Sequence, residues 1–171
     1  VVAYVTLSEN ATGSVLFSLD NEKWTPVKIV NGLARYEISH LNAGDYILFI
    51  KYDGDENNDP VFFQSPFCIK ELATKVTVEP FSGKPGEKVT LHIKVTDENG
   101  VPVNGTVLIG LNGKKYKATV KDGIATVDVI LPNSPYTLVV YYEGDNNYNS
   151  SYVVIHKEGA SNSSDLNRKD N

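Results

Sequence analysis

The chain has 171 residues, 41% of them hydrophobic, and a formal net charge of −5. That apolar content is enough to bury a core and excludes disorder of the whole chain. Lys and Arg are scattered without a basic stripe, which excludes nucleic acid and anionic membrane surfaces as partners.

No apolar run approaches the roughly 20 residues that cross a bilayer, so membrane insertion by this piece is not expected. No charged-then-apolar signal segment opens the chain. Beginning at Val1 rather than Met, it reads as a processed or excised piece of something longer.

In chain order, strands are expected at YVTLSE (4–9) and GSVLFSL (13–19), at the turn-led NGLA (31–34), and at YILFIKYDGD (46–55). Cys68 follows in the apolar run FCI and is expected to be a buried, inert thiol. A lone cysteine makes no intrachain disulfide and does not place the protein in a compartment. KELAT at 70–74 is short and lacks Gly/Ser composition, so two stiff modules placed end to end are expected.

Seven strands come next, near 75–80, 89–97, 105–111, 114–120, 124–130, 136–142 and 152–157. They are read from period-two alternation such as Val89, Leu91, Ile93 and Val95 against Thr90, His92, Lys94 and Thr96. KPGEK, DENG, LNGKK and KDG supply the turns between strands, and no useful length has helical period. From 158 onward the chain is polar and reads as a linker or loose tail.

The first part of the chain returns in the second. GSVLFSL lines up with GTVLIGL at 105–111, NGLA with DGIA at 122–125, and YILFIKYDGD with YTLVVYYEGD at 136–145. The spacings are 92, 91 and 90 residues, which is the mark of a duplicated module whose turns differ by single residues. Seven short strands per module suit an immunoglobulin-like, Greek-key β-sandwich. Tyr46 and Tyr136, each opening a strand after a corner, fit a tyrosine corner.

The fold expected is therefore all-β, with two tandem immunoglobulin-like domains at 1–71 and 72–157 and a tail at 158–171. YVTLSE corresponds to the second strand of the later module, so the first module lacks its N-terminal strand. An open edge of that kind invites strand addition by another chain.

PGEKVTLHIKVTDENGVPVNGTVLIGLNGKKY, DGIATVDV and YYEGDNNYNSS together resemble the bacterial immunoglobulin-like repeats found in tandem in large surface proteins. The closest likeness is to adhesin-like proteins of methanogenic archaea. The resemblance covers nearly all of the second module and most of the first. It implies non-enzymatic, extracellular spacer or adhesive modules at a cell surface or wall, partnered by neighbouring repeats and by another cell surface, a wall polymer or a glycan. The first module departs from the pattern, because YDGDENNDP stands in place of YEGDNNYN.

Asp53, Asp55, Asn57 and Asp59 alternate like the start of a calcium loop, which makes calcium the one cofactor to weigh. Positions six and twelve of such a loop, however, hold Asn58 and Gln64, and no helices flank it. A turn with Asp and Asn bonding to backbone amides accounts for the same residues.

His40, His92 and His156 lack companions at zinc-ligand spacing, and no nucleophile or phosphate-loop motif is present. Trp24 in NEKWTPV aligns with Tyr116 in GKKYKAT and reads either as a packing position or, with Tyr4, Tyr36 and Tyr52, as a sugar-stacking patch. Asn10, Asn104, Asn149 and Asn162 open glycosylation sequons in predicted turns or the tail. An intramolecular Lys–Asn isopeptide or Thr–Gln ester bond stays open. Two functions remain, an adhesin-like stalk or adhesion fragment and a carbohydrate-binding accessory module of an extracellular polysaccharide-acting enzyme.

Overall fold

The computed structural model describes residues 1–158, and every regular element among them is a strand. Two compact units divide the chain, Val1–Glu71 and Leu72–Asn171. The first contains β1 (Val2–Thr6), β2 (Ser14–Ser18), β3 (Thr25–Lys28), β4 (Leu33–Glu37), β5 (Gly44–Tyr52) and β6 (Val61–Ile69). The second contains β7 (Thr74–Val78), β8 (Lys88–Asp97), β9 (Gly105–Leu111), β10 (Lys114–Val120), β11 (Ile124–Ile130), β12 (Tyr136–Tyr142) and β13 (Ser151–Lys157).

Each unit has two antiparallel sheets, β1-β4 and β3-β2-β5-β6 in the first, β11-β8-β7 and β10-β9-β12-β13 in the second. Alternation puts one face of each sheet inward. In the second unit Leu91, Ile93 and Val95 of β8 meet Val107, Ile109, Leu138, Val140 and Tyr142 of the other sheet in one core. In the first, Ala34 of β4 shares a core with Val15, Phe17, Leu48, Ile50 and Tyr52. Both units are immunoglobulin-like sandwiches.

Register fixes the correspondence between them. Val5 opposes Ala34 as Ile93 opposes Ala125, and Phe17 opposes Ile50 as Ile109 opposes Val140. Strands β1 to β6 thus repeat β8 to β13, and β7 has no counterpart among the described residues of the first unit.

Turn chemistry explains the connections. Asn31-Gly32 and Asp122-Gly123 have positive φ (49° and 72°, 49° and 77°), the geometry of a tight two-residue turn, and each carries the chain from one sheet to the other. Asn112-Gly113 does the same within one sheet, between β9 and β10. The Tyr46 hydroxyl donates to the Asn42 carbonyl at 2.9 Å, closing the tyrosine corner of the first unit. Tyr136 lies partly buried against the core.

Two sequence expectations are corrected. Trp24 does not take the place of Tyr116, because Thr25 opposes Phe17 whereas Tyr116 opposes Ile109. From Phe17 to Thr25 the chain takes one residue more than from Ile109 to Tyr116, and in a strand one residue reverses the face. Cys68 is exposed rather than buried, since Phe67 takes the inward position of β6. There it opposes Asp45, whose carboxylate pushes the thiol pKa up.

Leu91 is fully buried at the centre of the second core. Leu91→Ala should cost about 2–5 kcal/mol in urea denaturation, through lost burial and the cavity left behind; a cost under about 1 kcal/mol would contradict this packing.

Candidate functional site

The segment between β5 and β6 holds the acidic residues singled out by the sequence. β5 ends on Tyr52, a buried residue whose hydroxyl donates to the Thr12 carbonyl at 2.9 Å and to Asp55 Oδ2 at 3.1 Å. Gly54 then turns the chain at φ +84°, where a Cβ would stand 2.6 Å from the Asn58 carbonyl oxygen, so only glycine fits.

Asp55 is bound from all sides. Its Oδ2 also accepts from the Thr12 N–H at 2.8 Å and the Thr12 hydroxyl at 3.0 Å. Its Oδ1 accepts from the Asn57 N–H and from Asn58 Nδ2, both at 2.8 Å. The Thr12 N–H, followed by the Asn57 N–H and Asn58, holds the carboxyl well below its ordinary pKa of 3.8. Tyr52 is pushed up by burial and by the Asp55 carboxylate.

The four candidate calcium ligands do not converge. Asp53 pairs with Lys51 at 3.2 Å, Asn57 offers Asp55 a backbone donor, and Asp59 lies along a groove beside β6. Among the described residues no three His, Cys, Asp or Glu side chains gather as a metal cluster. The equivalent loop of the second unit keeps Gly144 at φ +73° and Asp145, whose Oδ1 accepts from the Asn147 and Tyr148 N–H groups at 2.7 and 2.9 Å. The shared Gly-Asp pair therefore builds a turn.

The aromatic patch expected from Trp24, Tyr4, Tyr36 and Tyr52 does not form. Tyr36 stacks on Phe17 at 4.7 Å in the core, Tyr52 is buried, and Tyr4 belongs to β1 of the other sheet. Trp24 meets Phe62 instead, edge to face at 6.5 Å. Register aligns Phe62 with Lys51 and Leu16, away from the core row of Phe17 and Ile50. On the corresponding face of the second unit Tyr141 opposes Tyr152, which is 68% exposed. Phe62, Tyr141 and Tyr152 were missed in the sequence; the available signal was their position one residue from an inward-facing neighbour.

Asn10, Asn104 and Asn149 are exposed, whereas Asn162 lies outside the described residues. Asn104 Oδ1 accepts from the Asp122 N–H at 2.7 Å. His40 contacts Ser39, His92 lies on β8, and His156 contacts Thr137 from β13, so the three are on separate elements. The buried polar residues among those described are Ser18 and Asp97, so neither core holds a Lys–Asn pair for an isopeptide bond.

Asp55 has a folded pKa below its unfolded one, so its contribution to stability is complete above about pH 4 and is lost as pH falls through the folded value. Asp55→Asn should lower the melting temperature of the first unit at neutral pH. The gap to the parent protein should then narrow in melts taken from about pH 4 down to about pH 2; a gap independent of pH would reject the assignment.

Comparison with known proteins bears on the fold. Residues 76–155 match the family model described as bacterial Ig-like domain (group 3). No curated protein matches the chain. Among solved structures, the chain is similar to the fibronectin(III)-like modules of Clostridium thermocellum CbhA at TM-score 0.40 and 11% identity, covering 99% of this chain and 90% of that one. It is similar to a β-glucuronidase of Parabacteroides merdae at TM-score 0.35 and 10% identity, over 85% of this chain and 21% of that one. The FN1-FN3 domains of chicken CNTN1 give 0.34 and 13%, over 92% and 60%. The chain thus spans about a fifth of the glucuronidase. The match over residues 76–155, set beside the two sandwiches, supports an immunoglobulin-like repeat family for this chain.

Proposed function

We propose that this chain is a non-enzymatic tandem Ig-like fragment of a secreted or cell-surface adhesin-like protein, serving as a spacer or binding another surface. The observation that carries the reading is the duplication itself: six strands recur in the same order and register, closed by the same Gly-Asp turn. Repetition of one sandwich adds length and surface without adding a reaction centre. Ig-like domains of this type are typically non-catalytic and commonly extracellular, which agrees with an exported stalk. The motif likeness to adhesin-like proteins of methanogenic archaea points the same way.

A second reading, a carbohydrate-binding accessory module of an extracellular polysaccharide-acting enzyme, is favoured by the Trp24–Phe62 pair. Aromatic faces on a rigid sheet suit the apolar faces of sugar rings.

Antibodies raised against residues 1–158 should label intact cells of the source organism, and beads coated with the fragment should adhere to a cell or wall preparation. Labelling only after lysis would reject surface exposure. Trp24→Ala should leave bead adhesion unchanged, whereas glycan-array binding that this substitution abolishes would establish the second reading.

A further inference from the structure

The outer edge of β1 is unpaired among the described strands, and its chemistry can be read from the ladder. Leu7 N–H donates to Gly32 at 2.7 Å, and Val1 and Ile38 exchange bonds at 2.9 and 2.8 Å. In an antiparallel pair the bonded residues alternate. Residues 1, 3, 5 and 7 are thus tied to β4, and Val2, Tyr4 and Thr6 turn their N–H and C=O groups to the open side.

Beside that edge lies a groove of about 350 Å³, lined by Val5, Leu7, Val15, Ile50, Val61 and Phe63 with Asn58 and Asp59 at its mouth. Val61 and Phe63 are left 51% and 46% exposed there. Apolar side chains open to water along a strand edge are costly and invite pairing.

The second unit shows what belongs in this place. Its β7 pairs with the same edge of β8, Val76 opposite Val95 and Val78 opposite Ile93. Leu7 and Val95 correspond, since each donates to the glycine of the sheet-changing turn, Gly32 or Gly123. Val76 is buried in the core, and Leu72 and Thr74 bond to Asn147, Asn149 and Ser151, the counterparts of Asn57, Asp59 and Val61.

We propose that the groove of the first unit is a strand-acceptor site for a partner polypeptide: an extended segment from outside residues 1–171 with the alternation of Thr74–Val78. It runs antiparallel to β1, sets one β-branched apolar side chain opposite Leu7 and another opposite Val5, and exchanges backbone bonds with Thr6 and Tyr4. A second copy of this chain is not the occupant, because its Thr74–Val78 strand is already paired with β8. Nor does the stretch from 158 onward serve, being polar and lacking an apolar alternation.

The test titrates the 171-residue chain with a synthetic peptide of sequence LATKVTVEP, copied from residues 72–80, and follows amide hydrogen exchange by NMR. Saturable one-to-one binding is expected, with exchange at Tyr4 and Thr6 slowed about tenfold or more and a raised melting temperature. The same peptide bearing the Val76→Asp change should bind at least about tenfold more weakly. Unchanged exchange at Tyr4 and Thr6 at about 1 mM peptide would overturn the proposal, because a matched strand should occupy the groove at that concentration. Equal protection by the Asp-bearing peptide would also overturn it. So would slow exchange at both amides before peptide is added, accompanied by a dimer in sedimentation, since a second copy would then fill the edge.

Discussion

A buried tyrosine hydroxyl bonded to a backbone carbonyl holds each sandwich at the same point. Tyr52 donates to Thr12 and Tyr142 to Asn104, joining the end of a central strand to the segment that leads into its hydrogen-bonded neighbour. Burial of the ring supplies most of the stabilisation, and the hydroxyl can be buried only because a carbonyl receives it. Around this tie the remaining parts arrange themselves. The inward rows of β2 and β5, or β9 and β12, pack beside the ring, and the Gly-Asp turn begins as soon as the strand leaves it.

The two units meet the same demand at that corner with different means. In the second, Gly105 comes so close that a Cβ there would lie 2.8 Å from the Tyr142 ring. In the first, no such crowding occurs at Gly13, and Asp55 reaches up to bond the Tyr52 hydroxyl and Thr12 together. Asp55, the acid that both loops share, is therefore the first unit's way of bracing its tyrosine. The carboxylate that resembles a metal ligand already has its lone pairs taken by the protein's own donors.

Most of the architecture was legible in the sequence, for a physical reason. Inward rows such as Leu91, Ile93 and Val95 must be apolar, and turns such as Asp122-Gly123 must accept positive φ, so both leave a mark in residue type. The identity of the face is harder to read. Trp24 and Cys68 were each assigned from neighbourhood, in one case by alignment and in the other by an apolar run, and each was displaced by a parity that only the strand register reveals. Of the candidate site, the loop was legible as a turn through its counterpart ninety residues on, whereas the Trp24–Phe62 contact was not, since it joins the residue before β3 to β6, a strand that does not adjoin β3.

The longer turn after β2 has a further consequence. Asp20 caps it, accepting from the Glu22 and Lys23 N–H groups at 2.9 and 2.8 Å and held to a pKa of about 2 chiefly by the Lys23 bond. The added residue thus sits in a well-braced turn rather than a loose one, and the strand that follows is shifted by one position and pairs with β2 over four residues, where β10 pairs with β9 over seven. Turn length in this scaffold acts as a selector of which side chains a strand shows to water.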